Sequence, residues 1–299
     1  MQVHLVDGTY ELFRHHFGVP SHLDPGGTEV AAVRGVLGSV MGMLEQGATH
    51  VGVATDQVIE SFRNDRWPGY KTSAGMPPEL LAQFPLLEEG LAALGVTVWP
   101  MVELEADDAL ASAAALARTD ARVERAVVCT PDKDLGQCVH DPDVVQLDRR
   151  TGKRFDEAAV RAKFGVSPAS IPDWLALMGD SADGYPGLPG WGAKSAATVL
   201  ARYRHLEQIP KRAEEWHMPM RGTARLAATL VEQWERALLF RRLATLREDA
   251  PIGADVDALR WAGPRADFAQ WADRLGAPLL QERAAKLAAT RARDGRSTR

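Results

Sequence analysis

Short apolar runs that end in acids constrain this chain more than any other feature. Val3-His4-Leu5-Val6 closes on Asp7, Val51-Gly52-Val53-Ala54-Thr55 closes on Asp56, and Asp132 and Asp134 follow Ala126-Val127-Val128-Cys129-Thr130-Pro131. Runs of this length without polar alternation read as strands buried on both faces of a parallel sheet. Parallel strands in an open α/β sheet point their carboxyl ends at one crevice, which is where ligands bind. Glu105-Ala106-Asp107-Asp108 opens an alanine-rich helical run, and Asp180 and Asp183 sit in the Gly/Pro-rich stretch 179–184. The predicted fold is α/β, a central and mostly parallel sheet flanked by helices, with acids from five regions aimed at one cleft.

Such a convergence needs counter-charge. Two carboxylates about 4 Å apart repel by roughly 4 kcal/mol at an effective dielectric of 20, so either several acids are protonated or cations sit among them. With no His or Cys at metal spacing nearby, an all-oxygen donor set favours Mg²⁺ or Mn²⁺ over zinc. Two such ions form a phosphoryl-transfer centre. For Glu105, Asp107 and Asp108 a plainer reading stays open, because acids are favoured in any first helical turn by the helix dipole.

The 299 residues suffice for one large or two modest domains. No basic segment and apolar leader precede the first strand, and no apolar run approaches membrane length, so a soluble intracellular protein is expected. Cys129 and Cys138 are the only cysteines, which leaves neither a disulfide scaffold nor a zinc site. The net charge of −5 argues against a nucleic-acid partner at first. Setting nine metal-neutralised carboxylates aside turns that −5 into about +4, and local distribution outweighs the total.

Along the chain, Thr9 and Thr28 are expected to cap the first two helices, and Gly35, Gly38 and Gly42 to mark close helix packing. Residues 61–78 interleave cations with aromatics, as in Phe62-Arg63, Arg66-Trp67 and Tyr70-Lys71, a composition suited to phosphates and bases or, more plainly, to a solvated loop. Gly190-Trp191-Gly192-Ala193-Lys194 precedes a helix, where exposed backbone N–H groups bind phosphate; an ordinary helix–helix turn is the alternative. Residues 224–246 read as one long helix. The tail from Arg283 is basic with almost no apolar content after Leu287, and disorder is expected there.

Taken together, Leu5-Val6-Asp7-Gly8, Glu105-Ala106-Asp107-Asp108, Thr130-Pro131-Asp132-Lys133-Asp134-Leu135, and Gly179-Asp180-Ser181-Ala182-Asp183 with Pro186-Gly187 and the Gly190/Gly192 turn resemble the 5′ nuclease family. That family includes the amino-terminal domain of bacterial DNA polymerase I, phage exonucleases and flap endonucleases. The resemblance implies a PIN-like 5′ nuclease core over 1–178, with a helical arch at about 57–95. It also implies a helical region over 179–282 carrying a glycine-rich helix-turn-helix that binds duplex DNA, with 283–299 left as a basic tail.

It further implies that Asp7, Asp56, Glu105, Asp107, Asp108, Asp132, Asp134, Asp180 and Asp183 hold two or more Mg²⁺ or Mn²⁺ ions. Arg63 and Lys71 would be catalytic, with Tyr70 beside them at the arch base. Gly190, Gly192 and Lys194 would grip the duplex, with K⁺ at the Gly190–Gly192 turn. The expected activity is that of a 5′–3′ exonuclease and flap endonuclease in replication or repair, such as Okazaki fragment processing. Its substrates would be DNA with 5′ flaps, ends or nicks, and RNA–DNA junctions. A monomer in the bacterial cytoplasm, nucleoid-associated and working with a separate polymerase, completes the expectation.

Thr72-Ser73-Ala74-Gly75 stands where relatives often carry another cation after the lysine, which predicts a weaker grip on the flap. Two alternatives stay open: a DNA-binding protein of this fold without catalysis, and a PIN-type ribonuclease. An aspartyl-phosphate phosphatase fits poorly, since Asp7 is followed by Gly8-Thr9 and not by a second aspartate two residues on.

Overall fold

The computed structural model describes residues 1–218 and 220–297, with side chains as far as residue 293. The chain divides into two compact units. The first comprises Met1–Ile59, Ser73–Thr130 and Glu248–Arg299; the second comprises Glu60–Thr72 and Pro131–Arg247. The division differs from the boundary expected at 178/179: residues 57–95, expected to form an arch, contribute to both units, and the chain from Glu248 belongs to the first.

The first unit is built on four parallel strands, β1 (Gln2–Asp7), β2 (His50–Asp56), β3 (Thr97–Met101) and β4 (Arg125–Cys129), in the order β3-β2-β1-β4. Val3 pairs with His50 and with Ala126, and Gly52 pairs with Thr97. Val3, Leu5 and Val6 are fully buried and β2 is buried throughout, as strands covered on both faces require. Parallel neighbours need crossovers. Helices Gly8–Gly18 and Ala31–Glu45 join β1 to β2, and helix Ala106–Thr119 joins β3 to β4. Strand order reverses between β1 and β4, so the crevice at their carboxyl ends lies beside Asp7.

A Cβ on Gly35 would lie 2.3 Å from the His15 ring, so that glycine does allow close helix packing. Gly38 and Gly42 face open space instead. Thr28 caps nothing: its amide donates to Asp24, while Glu29 Oε1 accepts from Ala31 N at the helix start.

The tail expected to be disordered is helical over Pro278–Ser297, and residues 298–299 of that expectation lie outside the described residues. Its cations explain the order. Arg283 forms a two-point ion pair with Glu45, and Arg291 donates to the carbonyls of Leu44 and Ala48, where the Ala31–Glu45 helix ends. A guanidinium there meets both the orphan carbonyls and the negative end of the dipole. Upstream, Trp261 donates to the Leu94 carbonyl, and the Trp271 ring occupies the space a side chain at Gly90 would take.

The second unit pairs β5 (Val144–Asp148) with β6 (Lys153–Phe155) in an antiparallel hairpin and is otherwise helical. Its core gathers Leu175, Leu177, Tyr185, Trp216, Phe240 and Leu243. Residues 224–246 form two helices, Thr223–Glu232 and Trp234–Ala244, separated at Gln233. Trp67 meets the Phe240 ring edge-on, and Tyr185 stacks on its other neighbouring position at 5.4 Å.

Candidate active site

The acids of the first unit sit at helix N-termini, where a carboxylate oxygen accepts an otherwise orphaned amide. Asp7, and not Thr9, caps helix Gly8–Gly18: its Oδ1 accepts from Tyr10 N at 2.8 Å and its Oδ2 from Thr130 Oγ1 at 2.9 Å. Thr9 instead accepts from Asp56 N, tying the carboxyl end of β2 to the start of that helix. Asp56 Oδ1 in turn accepts from Ala106 N, and Asp108 Oδ2 accepts from Glu105 N. Asp108 is 0% exposed and Glu105 nearly as buried, while Asp107 is half-exposed. The dipole reading of this stretch is therefore correct as far as it goes. It does not account for four buried carboxylates along one sheet edge.

In the second unit three acids meet. Ligand oxygens of Asp134, Asp180 and Asp183 lie within 4.8 Å of one another. Asp132 is exposed and outside this set; its Oδ1 accepts from Asp134 N, and its carbonyl accepts from Gln146. Asp180 is presented by a tight turn in which its backbone exchanges two hydrogen bonds with Tyr185, and its Oδ1 accepts from Ala182 N.

Two lysines balance these charges. Lys133 Nζ stands 2.6 Å from Asp180 Oδ2 and 3.8 Å from Asp134 Oδ1; Lys71 Nζ stands 3.5 Å from Asp183 Oδ1. The Lys71 amide also donates to the Asp183 carbonyl. Burial works against the Lys133 charge, but Asp134, Asp180 and Asp132 together hold the ammonium above the ordinary lysine range. Asp134 goes the other way for a carboxyl: burial, then Asp132 and Asp183, push it well above the usual range, with Lys133 opposing. The Tyr185 phenol is pushed up by burial and then by Asp134, Asp183 and Asp180.

The donor set fits a hard divalent cation. Asp134 Oδ1 is buried without a hydrogen-bond partner. All donors are carboxylate oxygens, and their mutual span of no more than 4.8 Å lets one ion reach all three. Lys133 was legible as part of the Asp132-Lys133-Asp134 run, a cation flanked by acids, yet carried no expected role. Thr130, Thr9 and Tyr185 gave no sequence signal as supports of the acids.

Arg63 and Tyr70 are placed otherwise than expected for residues that touch DNA. Arg63 is 1% exposed; its Nε donates to the Leu243 carbonyl at 2.8 Å and its Nη2 to that of Thr245, both within the second unit. Tyr70 is 3% exposed and belongs to the unit's hydrophobic core. The interleaved cations and aromatics of 61–71 thus serve to anchor the segment, leaving Lys71 at the acids. The glycine turn precedes helix Ala193–Tyr203, with Gly190 at φ +82° and Lys194 exposed. Its Gly192 amide is taken by Ser195 Oγ at 3.0 Å.

The model of the 5′-3′ exonuclease N-terminal, resolvase-like domain matches residues 2–165, and that of the 5′-3′ exonuclease C-terminal SAM fold matches residues 166–267. DNA polymerase I of Pseudomonas aeruginosa is 33% identical over 292 residues, 91% of this chain and 31% of that protein. DNA polymerase I of Mycobacterium leprae is 34% identical over 264 residues, 86% of this chain and 28% of that protein. The chain thus spans about a third of the length of these polymerases. Among solved structures, T5 5′-exonuclease with bound divalent metal ions (zinc) aligns with a TM-score of 0.64 at 17% identity, over 96% of this chain and 98% of that one. The catalytic core of Rad2 in complex with DNA substrate aligns at 0.62 and 15%, over 96% and 90%. These two likenesses bear on the fold, which they share, and the two domain matches together span most of the sequence. The chain belongs to the 5′-3′ exonuclease family.

Proposed function

We propose that this chain is a divalent-metal-dependent, structure-specific 5′ nuclease, acting as 5′–3′ exonuclease and flap endonuclease on DNA. The observation that carries the reading is the Asp134–Asp180–Asp183 set with Lys71 at its edge. These three acids would hold Mg²⁺ or Mn²⁺ in the second unit, and Asp7, Asp56, Glu105 and Asp108 would serve ions in the first, directly or through water. When bound, such ions supply the charge that lowers the pKa of water and stabilises a departing oxygen. Lys71 would face the scissile phosphate, exchanging its contact with Asp183 for the charge that develops on the phosphoryl oxygens. Lys133 would release Asp180 as the cation enters. Lys194 and the Gly190 turn would hold duplex backbone, with K⁺ as a further occupant of that turn. The natural substrates would be 5′ flaps, ends and nicks met in replication or repair, by a monomer acting beside a polymerase.

Cleavage of 5′- and 3′-end-labelled flap duplexes with Mg²⁺, Mn²⁺ or EDTA, wild type against Asp134→Ala, tests this. Metal-dependent incision near the flap junction, abolished in Asp134→Ala, is the expected result. Tight binding with no products in either metal would leave a DNA-binding protein of the same fold, the second reading. Lys71→Ala should bind flap DNA and lose most of the single-turnover rate; an unchanged rate would remove Lys71 from the chemistry.

A further inference from the structure

On the β5–β6 hairpin and the helix after it, Glu157–Phe164, two lysines share one aromatic ring. Lys153 Nζ stands 4.9 Å from the centre of the Phe155 ring, and Lys163 Nζ stands 4.5 Å from the same centre and 4.6 Å from that of Phe164. Phe155 is buried, so the ring is a fixed platform beside both ammonium groups. Among the described residues neither ammonium has a carboxylate partner. The acids around them are engaged elsewhere. Asp148 accepts from the amides of Arg150 and Thr151 and from Thr151 Oγ1, Asp156 caps the helix at Ala159 N, and Glu157 pairs with Arg161.

Like charges held together without an anion are unfavourable, and here burial and then Lys153 work against the Lys163 charge. Asp132 and then Asp148 counteract them, so Lys163 lies within electrostatic range of the acid that flanks the Asp134 set. Arg150 and Arg154 are exposed on the same hairpin. A phosphodiester would relieve the repulsion, and both lysines are exposed where a strand could reach them.

We propose that Lys153 and Lys163 form a phosphate clamp that takes the backbone of the DNA strand running past Asp132. The nature of the polyanion rests on the nuclease reading; the clamp rests on the lysine pair. The test is fluorescence anisotropy of a labelled flap duplex in Ca²⁺ over a range of NaCl. It compares wild type, Lys153→Gln/Lys163→Gln, Lys153→Arg/Lys163→Arg and the charge-matched control Lys211→Gln/Lys286→Gln, with cleavage in Mg²⁺ run in parallel.

The Gln pair should weaken binding about tenfold near 0.1 M salt and reduce the slope of log K against log salt by about 1 per lysine. The Arg pair should restore both. A Gln pair that matches the charge control in Kd and slope, while the wild type cleaves, would overturn the clamp and leave the nuclease standing. A wild type that binds and never cleaves, with the slope still lost in the Gln pair, would overturn the nuclease and leave the clamp. Should the Gln pair melt early, Lys153→Gln alone carries the test, since that residue is exposed.

Discussion

Asp134 sits where its surroundings oppose a charge. It is 6% exposed, three other acids surround it, and Lys133 works in its favour. Its carboxyl pKa in the folded state lies above the roughly 3.9 of an unfolded chain, so the folded state binds the proton more tightly. The sign follows: without metal, ionising Asp134 lowers stability, and the loss is recovered as pH falls from the raised folded value toward the unfolded one. Asp134→Asn should therefore raise Tm in EDTA at any pH where the native carboxyl is ionised, while abolishing cleavage. Calorimetry in EDTA checks this, and a lowered Tm would mean that the carboxylate holds the fold together. Lys133→Met should do the reverse. It strands Asp134 and Asp180 without their shared cation, so a loss of about 3–5 kcal/mol is expected in EDTA. Divalent metal should recover part of it, because an ion supplies the same counter-charge.

At the scale of elements, the acids depend on one crossing of backbone. Gly179 and Gly187 have φ +85° and +68°, and a Cβ on Gly187 would lie 2.3 Å from Gly179 N. No rotamer change relieves a clash with backbone. Gly187→Ala should cost at least about 2 kcal/mol from the left-handed φ and the clash together, and reduce cleavage by moving Asp180 and Asp183. Urea unfolding and the flap assay read both losses; a stable, active variant would show that the turn tolerates a shift.

The sheet was legible because strands buried on both faces write a local apolar code, as in Val3 to Val6. The acids were legible for the same reason, being punctuation at the ends of that code. The caps were not: Thr9 and Asp7 are both capping residues by type, and only the position of the Asp56 amide decides that Thr9 serves β2. Arg63 and Tyr70 misled because a guanidinium that binds carbonyls and one that binds phosphate have the same sequence signature. The final helix misled because Arg283 and Arg291 count as solvated charge until Glu45 and the end of the second helix are in place.

For the molecule as a whole, metal binding at the acids would be linked to folding. The Asp134 set lies entirely within the second unit, so an ion bound there stabilises that unit against unfolding by RT ln(1 + [L]/Kd), about 2.7 kcal/mol at a hundredfold excess over Kd. Mn²⁺, Mg²⁺ and Ca²⁺ should each raise the Tm of the wild type above that in EDTA at matched ionic strength, by about 5 °C near saturation. Only ions that also support the chemistry should yield products, so Ca²⁺ separates binding from turnover. Asp180→Ala should lose the part of the metal-dependent rise that comes from the second unit, since it removes one of three ligands there. Screening by salt offers the rival account, in which any cation relieves repulsion among the acids. That account predicts equal rises in NaCl and MgCl₂ of the same ionic strength. A wild-type Tm indifferent to all three divalent ions would mean that Lys133 and Lys71 are the permanent counter-charges and that the acids hold no ion.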